Sequence, residues 1–260
     1  MRRDEGRDFP WWLVVLAAAG LAVAVMVARD PVYARILATL SRGIGITIAV
    51  TVTAFLGAMA LGLALAVASL SRHLWLRQLA RLYVEVMRGV PIIVLLLYVA
   101  FALVPLCVAG WNALGLPEAQ TRAVPLIARA VLALILAYAA FLAEIFRAGI
   151  LSVAEGQIEA ASALGLGPWL RFRLIVWPQA LRTILPPFGN DFVAMVKDSS
   201  LVSVLGVADI TQLGKVAASG NFRYLETYNM VALLYLAMTV TLSLALRRLE
   251  TRLRGRGPTR

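Results

Sequence analysis

The chain has 260 residues, of which 61% are hydrophobic and only 15% are charged. Soluble globular chains contain about 45–50% apolar and about 25% charged residues. A soluble fold of this composition would therefore have to leave large apolar patches in water. Intrinsic disorder is excluded as well, because it requires low hydrophobicity and high charge. The composition predicts an integral membrane protein.

The net charge of the chain is +11, and nearly all of its basic residues are arginine. In a soluble protein this charge would suggest nucleic-acid binding, whereas beside apolar spans it is typical of cytoplasmic loops near anionic headgroups. Cys107 is the only cysteine, so the chain forms no intrachain disulfide. His73 is the only histidine and lies in a basic loop, where we expect an interfacial residue rather than a metal ligand.

Six apolar segments are candidates for membrane-spanning helices, each of which needs about 20 residues. In chain order they cover residues 9–28, 43–71, 91–109, 124–146, 184–205 and 227–246. The first follows a charge-balanced stretch and has no clear cleavage site, so we expect a retained helix rather than a signal peptide. Arg129 and Glu144 lie near the ends of the fourth segment, where their side chains can snorkel. These segments predict an all-α protein with about six transmembrane helices.

The fifth segment carries three charges, Asp191, Lys197 and Asp198. Three charges facing lipid would cost on the order of 8–10 kcal/mol, so this helix should turn them toward protein or a cavity. The two acids are seven residues apart and share a helix face, while Lys197 diverges from Asp198 by about 100°. The charges either tie this helix to its neighbours or contact the substrate or a gate. If Lys197 is buried, its ammonium group must be paired or lie in cavity water. The candidate partners are Asp198, Asp191 and Glu144, and the alternative is the carboxylate of the substrate.

The distribution of basic residues predicts how the chain is oriented. With six spans and a cytoplasmic N-terminus, the inner segments hold 17 arginines and the outer loops hold 6 basic residues. This bias predicts that both termini are cytoplasmic, and it places the long loop over residues 147–183 in the cytoplasm. In that loop Ser152 and Glu155 have the spacing of a capping box. They predict a short helix over residues 155–164, ended by Gly165 and by Gly167-Pro168.

The same loop carries a long, discontinuous motif: Glu159-Ala160-Ala161, then Gly165, then Ile175 and Pro178. This spacing resembles the EAA loop of binding-protein-dependent ABC importer permeases, with Trp177 at a position that is usually Leu. The resemblance implies that the short helix is a coupling helix, which sits in a groove of the ATP-binding subunit. The residues to which it assigns this role are Glu155, Gly156, Gln157, Glu159, Ala160, Ala161, Gly165 and Pro178.

Further motifs are similar to those of polar amino-acid permeases. They are Arg88-Gly89-Val90-Pro91, the helix from Tyr138 to Ile150 with Glu144, the pair Pro186-Pro187, and Lys197-Asp198-Ser199-Ser200. The resemblance covers roughly residues 40–250 and implies the type I importer fold, in which five spans suffice. It divides the chain into a tail and extra helix (1–36), a permease domain (37–247) with the loop 152–182, and a basic tail (248–260).

The resemblance also implies partners. A second permease subunit, the same or homologous, would complete the pathway in a bacterial inner membrane. An ATP-binding subunit dimer would drive it, and an external solute-binding protein would deliver a polar amino acid. The candidate pathway residues are Asn190, Asp191, Lys197, Asp198, Ser199 and Ser200.

The sequence offers no cofactor site, so ATP and Mg should bind to the partner subunit. Gly214-Lys215 is followed by Val216 and lacks the glycine spacing of a Walker A motif. An ion-coupled secondary transporter is the main alternative, but it predicts inverted repeats, and no convincing repeat is present. A membrane-embedded enzyme would need a catalytic constellation, and Ser199-Ser200 has no nearby histidine base. The identity of the amino acid and the choice between homodimer and heterodimer stay open.

Overall fold

The structure, a computed structural model, describes residues 11–254, and within that range every regular element is a helix. Two π-helical segments, Val99–Leu103 and Phe172–Val176, and two 3-10 segments, Thr121–Ala123 and Ser199–Leu205, adjoin the α-helices. The α-helices are α1 (Trp11–Arg29), α2 (Pro31–Ser69), α3 (Leu74–Gly89), α4 (Ile92–Tyr98), α5 (Val104–Ala113), α6 (Leu126–Leu151), α7 (Glu155–Ala163), α8 (Pro168–Arg171), α9 (Trp177–Asp198), α10 (Ile210–Asn221) and α11 (Tyr224–Arg254).

Four helical stretches in the described range are long and apolar enough to cross a membrane. They are Pro31–Ser69, Ile92–Ala113, Leu126–Leu151 and Tyr224–Arg252, which match the second, third, fourth and sixth predicted spans. The first predicted span overlaps α1, although residues 9 and 10 lie outside the described part. The fifth overlaps α9, whose charges and internal prolines lower its hydropathy. The all-α membrane class is confirmed, whereas the count of six spans is not.

Helix α2 is longer than the sequence pattern predicts, with 39 residues. It begins at Pro31, and the Asp30 carboxylate caps it by accepting a hydrogen bond from Val32 N at 2.8 Å. The expected start at residue 43 was therefore wrong, because Arg35 and Arg42 lie on the helix rather than in a loop. The predicted division between residues 36 and 37 falls inside this continuous helix.

The core of the bundle is where α2 and α9 pack on α6. Small residues allow this packing, since a Cβ atom at Gly62 would lie only 3.0 Å from the Ala139 carbonyl oxygen of α6. Leu134 and Leu142 of α6 and Met195 of α9 are fully buried there. Without a hydrophobic driving force between helices in lipid, such close backbone approach supplies the packing energy.

Two helices, α3 and α10, were not predicted from the sequence. Helix α3 lies in the stretch that the charge pattern assigned to a basic loop, and the Tyr83 hydroxyl attaches it to α6 by donating to Leu136 O at 2.9 Å. Helix α10 begins after Asp209, whose buried carboxylate accepts from Gln212 N at 2.8 Å and from the Tyr235 hydroxyl at 3.0 Å. Both helices are too short and too polar to register as spans.

The two ends of the bundle carry different elements. At one end, Ser152 beyond α6 bonds to Thr183 of α9, close to α7. At the other end, the first turns of α2 and the turn between α10 and α11 line a common cleft. Because α2 runs the length of the bundle, α7 and the α10–α11 turn lie at opposite ends.

Candidate functional site

Helix α7 ends in a hydrogen-bonding pattern that its sequence dictates. Gly165 has φ +74°, a left-handed conformation that glycine adopts without strain. Its N–H donates to Ser162 O at 2.9 Å, and Leu166 N donates to Ala161 O at 3.1 Å, which together form a Schellman motif. The expected short helix and its stop at Gly165 are confirmed.

The capping box expected at the start of α7 was wrong. Ala154 occupies the N-cap position and makes no side-chain cap bond. The Ser152 hydroxyl instead donates to Gly149 O at 2.7 Å and pairs with Thr183 Oγ1 at 3.1 Å. Ser152 thus ties the end of α6 to α9, because the N-cap of α7 lies two residues later than the capping box requires.

Most of the motif residues of α7 face solvent in the single chain. Ala161 alone among them is buried, where α7 contacts the π-segment 172–176. The exposed members are Glu155, Gly156, Gln157, Glu159 and Ala160 on α7, with Gly165 and Pro178 beyond it. An exposed helix that presents small side chains allows another protein surface to approach closely.

Side chains hold α7 against the start of α9. The Gln179 amide donates to the Gln157 side chain at 2.5 Å and to Ile175 O at 3.1 Å. Arg171 donates to the Ser162 hydroxyl. These contacts make α7, α8 and the beginning of α9 a connected unit, so that a displacement of α7 moves α9.

The unit is joined to α6 by a close helix crossing. Gly149 of α6 is buried, and a Cβ atom there would collide with Ile184 and lie 3.2 Å from Ala180 O. Two packed helices without room for a methyl group cannot slide independently. The end of α6 and the start of α9, to which α7 is bonded, are therefore in close contact.

The predicted pathway residues on α9 occupy two faces. Asn190 and Lys197 are exposed and lie seven residues apart, on one side of the helix. Asp198, about 100° further around the helix, faces α6 and accepts a hydrogen bond from the Tyr138 hydroxyl at 2.7 Å. Asp191 shares that inner side, and its buried Oδ2 has no hydrogen-bond partner in the described part of the chain. The expected divergence of Lys197 from Asp198 is confirmed.

Of the two alternatives for Lys197, an ion pair or contact with cavity water, the described part of the chain does not show the ion pair. Among residues 11–254, no carboxylate lies within ion-pair distance of its ammonium group. Glu144, one of its three predicted partners, instead pairs with Arg88 at 2.7 Å. Lys197 needs no partner inside the subunit, because its side chain is on the subunit surface.

The two serines after α9 are not equivalent. Ser199 is fully buried, and its hydroxyl donates to Val196 O at 2.7 Å. Ser200 is half-buried. Both belong to the 3-10 segment that replaces the end of the predicted fifth span, so Ser199 supports this turn and does not line a cavity in the single chain.

The Arg88 motif lies at the junction of α3 and α4. The guanidinium group of Arg88 contacts Glu144 and stands 5.7 Å from the ring centroid of Phe141. Gly89 ends α3, and Pro91 precedes the first residue of α4. Beside this ion pair is a half-open cleft of about 280 Å³, lined by Leu65, Ser69, Ala80, Arg81, Val84, Glu85, Ala143, Glu144 and Arg147. The Arg88 motif therefore links α3 to the end of α6 that leads to α7.

Arg129 has a structural role that its sequence position did not predict, as does Tyr138 through its hydrogen bond to Asp198. Arg129 was expected to snorkel, but it is buried and donates to Ala100 O at 2.8 Å, Val124 O at 3.0 Å and Thr121 O. The π-segment explains its role. Val104 N–H bonds to Val99 O and Pro105 has no N–H, so neither supplies a donor to the Ala100 carbonyl.

Comparisons with known proteins agree with this geometry. Residues 58–255 match the family described as binding-protein-dependent transport system inner membrane component. The glutamine transport system permease protein GlnP of Escherichia coli (strain K12) is 42% identical over 67% of this chain and 74% of its own length. The probable amino-acid permease protein YxeN of Bacillus subtilis (strain 168) is 37% identical over 65% of this chain and 70% of its own length.

Solved structures share the fold. A crystal structure of an amino acid ABC transporter with histidines matches with a TM-score of 0.70 and 34% identity, over 88% of this chain and 97% of that one. An inward-facing MetNI methionine ABC transporter matches with a TM-score of 0.63 over 82% of this chain and 95% of that one; at 21% identity it speaks for the fold alone. The chain therefore belongs to the family of binding-protein-dependent transport system inner membrane components and is a permease subunit of an ABC importer.

Proposed function

We propose that this permease carries a polar amino acid across the inner membrane, driven by a separate ATP-binding subunit dimer and supplied by an external solute-binding protein. The observation that carries the proposal is the α7 unit, which presents an exposed, capped helix and is tied to both α6 and α9. A helix connected in this way can pass a displacement from a soluble partner to two membrane helices.

The coupling role falls to the exposed residues of α7. The buried Ala161 packs the helix against its own subunit. The partner would contact the exposed residues Glu155, Gly156, Gln157, Glu159 and Ala160. ATP and Mg belong to that partner, since this chain has no Walker A motif. The α7 end of the bundle then faces the cytoplasm, as do both termini, in agreement with the excess of arginines in the segments assigned to that side.

The pathway would form between two permease subunits, the same or homologous, at the face of α9 that bears Asn190 and Lys197. An exposed ammonium group on a membrane helix costs about 2.5–3.5 kcal/mol if it faces lipid. A water-filled interface between subunits removes this cost, and Lys197 then suits the carboxylate of an amino acid. Asp198, which accepts from the Tyr138 hydroxyl, and Asp191, whose buried Oδ2 has no partner in the described part of the chain, would bind the ammonium group of the substrate when the helices move.

The substrate class rests on the relatives, two of which are named as glutamine or amino-acid permeases. We expect the binding protein to determine which amino acid is transported, because it selects the substrate that it delivers to the permease. A polar rather than apolar amino acid agrees with the charged residues on α9.

Reconstitution tests the proposal. The permease, co-purified with its ATP-binding subunit in proteoliposomes, is assayed with the amino-acid-binding proteins of the source organism and a panel of labelled amino acids. We expect uptake that requires ATP, one binding protein and a polar amino acid. Uptake driven by a proton or sodium gradient without the ATP-binding subunit would overturn the proposal in favour of a secondary transporter.

A further inference from the structure

The turn between α10 and α11 contains a strained residue. Phe222 has φ +57°, while the other positive-φ residues in the described part of the chain are glycines. A bulky side chain in this left-handed region is a genuine outlier. Its N–H caps α10 by donating to Ala218 O at 2.8 Å, which a glycine or asparagine would do without strain. The fold alone therefore gives no reason for phenylalanine at this position.

Burial of the ring does not compensate for the backbone strain at Phe222. The residue is 81% exposed, and its neighbours Tyr224 and Leu225 are also exposed, at 49% and 74%. Tyr224 and Leu225 begin α11, a candidate membrane span whose exposed apolar side chains lipid can cover, whereas Phe222 precedes that span on a strained turn. An exposed ring at a strained position outside the span is explained by a partner that covers it.

Beside this turn lies a basic cleft. It has a volume of about 280 Å³, and its polar lining includes Arg35 from α2 with Asn221 and Arg223 from the turn. Arg223 is 3.6 Å from Glu226, whereas Arg35 forms no ion pair with any residue in the described range. Two guanidinium groups against one carboxylate leave the cleft positively charged.

The location of the cleft argues against a lipid partner. It lies at the end of the bundle opposite α7, which the proposed orientation places outside the cytoplasm. Anionic lipid attracts basic segments at the cytoplasmic leaflet, and basic residues are disfavoured in outer loops. Two arginines that line one cleft at the outer end therefore call for an anionic group on another protein, whereas a single exposed arginine such as Arg122 does not.

We propose that Phe222, Arg35 and Arg223 form the surface on which an acidic patch of the external solute-binding protein docks. This inference rests on the proposed function and adds the site of contact. Aromatic and arginine side chains dominate the energetics of protein interfaces. Phe222 supplies the apolar anchor, and the two arginines select and steer the acidic partner.

The test uses the complete transporter in nanodiscs and the binding protein that supports uptake in the reconstitution described above. ATP hydrolysis is measured against binding-protein concentration for the wild type and for Arg35→Glu/Arg223→Glu. We expect the half-maximal concentration to rise about tenfold in the double variant and to depend less on salt. Arg122→Glu, an exposed arginine outside the cleft, is the control and should behave as the wild type. Size-exclusion chromatography verifies assembly of each variant.

Phe222→Asn separates a docking role from a structural one. Asparagine tolerates the left-handed conformation, so this variant should unfold at the same or a higher temperature than the wild type. We nevertheless expect it to need several times more binding protein, about three- to tenfold, because an interface anchor is lost. A purely structural residue would change stability and leave stimulation intact.

Three outcomes overturn the inference. The first is a wild-type half-maximal concentration in the double arginine variant. The second is an effect that follows the anionic lipid content of the nanodisc at constant binding protein, because the surface would then serve lipid. The third is a wild type that no binding protein stimulates, which contradicts the proposed function and the docking surface together.

Discussion

The position of Lys197 indicates what surrounds it, because a charge that faces lipid is energetically unfavourable. It is one of two lysines in the chain, and it lies on the outward side of α9 without an ion pair in the described structure. Its neighbour Asp198 turns inward to Tyr138. The two adjacent charges therefore serve different purposes, one within the subunit and one at its surface.

We expect Lys197→Met to express and assemble normally but to lose most of its transport. No carboxylate within the subunit is left unpaired by the change, so folding should be spared. Lys197→Arg should keep the charge but alter the apparent affinity for the amino acid, because guanidinium and ammonium groups differ in geometry. Uptake by the purified, reconstituted complexes measures both effects.

Lys215→Met is the matched control. It removes the other lysine, which is exposed on α10, and should transport normally. A fully active Lys197→Met complex would show that this face of α9 does not line the pathway.

Arg129 illustrates the opposite case, a charge retained for its hydrogen bonds. It donates to three backbone carbonyls and so joins the π-segment before α5 to the loop before α6. We expect Arg129→Met to lower the free energy of unfolding by about 1–3 kcal/mol, since the Ala100 carbonyl becomes an unsatisfied buried acceptor. Thermal unfolding in detergent measures the change.

Arg122→Met removes an exposed arginine seven residues earlier and should leave the unfolding temperature unchanged. Equal unfolding temperatures for Arg129→Met and the wild type would mean that water or lipid satisfies the Ala100 carbonyl in its place.

At the scale of the element, α7 depends on how it ends. The Schellman motif at Gly165 sets the direction in which the chain leaves α7 and enters α8. Because α7 is bonded to the start of α9 through Gln157 and Gln179, its direction matters to the coupling role that we propose for it.

We expect Gly165→Val to abolish transport and to uncouple or abolish ATP hydrolysis, while the membrane bundle still inserts. A β-branched residue at φ +74° costs about 1–2 kcal/mol or more, so the cap rearranges and α7 is misdirected. Uptake and ATP hydrolysis of the same preparation are the measurements.

Gly167→Ala provides the control within the same loop. Gly167 has φ −62°, and a Cβ atom there would meet no other atom within 4 Å, so alanine should be tolerated. Normal transport by Gly165→Val at normal expression would exclude α7 as the coupling element.

At the scale of the molecule, the two ends of the bundle carry the two surfaces that we propose contact soluble partners. The α7 unit occupies one end, and the turn bearing Phe222 occupies the other. The helices between them are joined at close crossings such as Gly149 against α9 and Gly43 against the start of α10. A movement at one end can therefore reach the other through rigid helices.

The proposed orientation predicts which end an external reagent reaches. In a Cys107→Ser background, we expect an impermeant thiol reagent on intact cells to label Glu118→Cys but not Thr259→Cys. The reason is the excess of arginines in the segments assigned to the cytoplasm. Labelling is measured by gel shift, and permeabilised cells, where both positions should react, are the control. Labelling of Thr259→Cys alone would show that the protein has the opposite orientation.

Sequence and structure agree most closely where a single local pattern decides the outcome. The apolar spans over α2, α4–α5, α6 and α11 and the glycine stop of α7 were predicted because length, hydropathy and a positive φ are local properties. Helices α3 and α10 were missed because they are short and polar, and tertiary contacts such as Tyr83 with Leu136 and Asp209 with Tyr235 hold them.

The sequence by itself determined the class, the motif of the coupling loop and the positions of the charges on α9. Only the tertiary structure decided which partners these residues take. Ser152 bonds to Thr183 instead of capping α7, Glu144 pairs with Arg88 instead of Lys197, and Arg129 bonds to carbonyls instead of snorkelling. The physical reason is that ion pairs and hydrogen bonds depend on distance in space. A sequence states which groups are available, whereas the packing of α6 against its neighbours brings particular ones within reach.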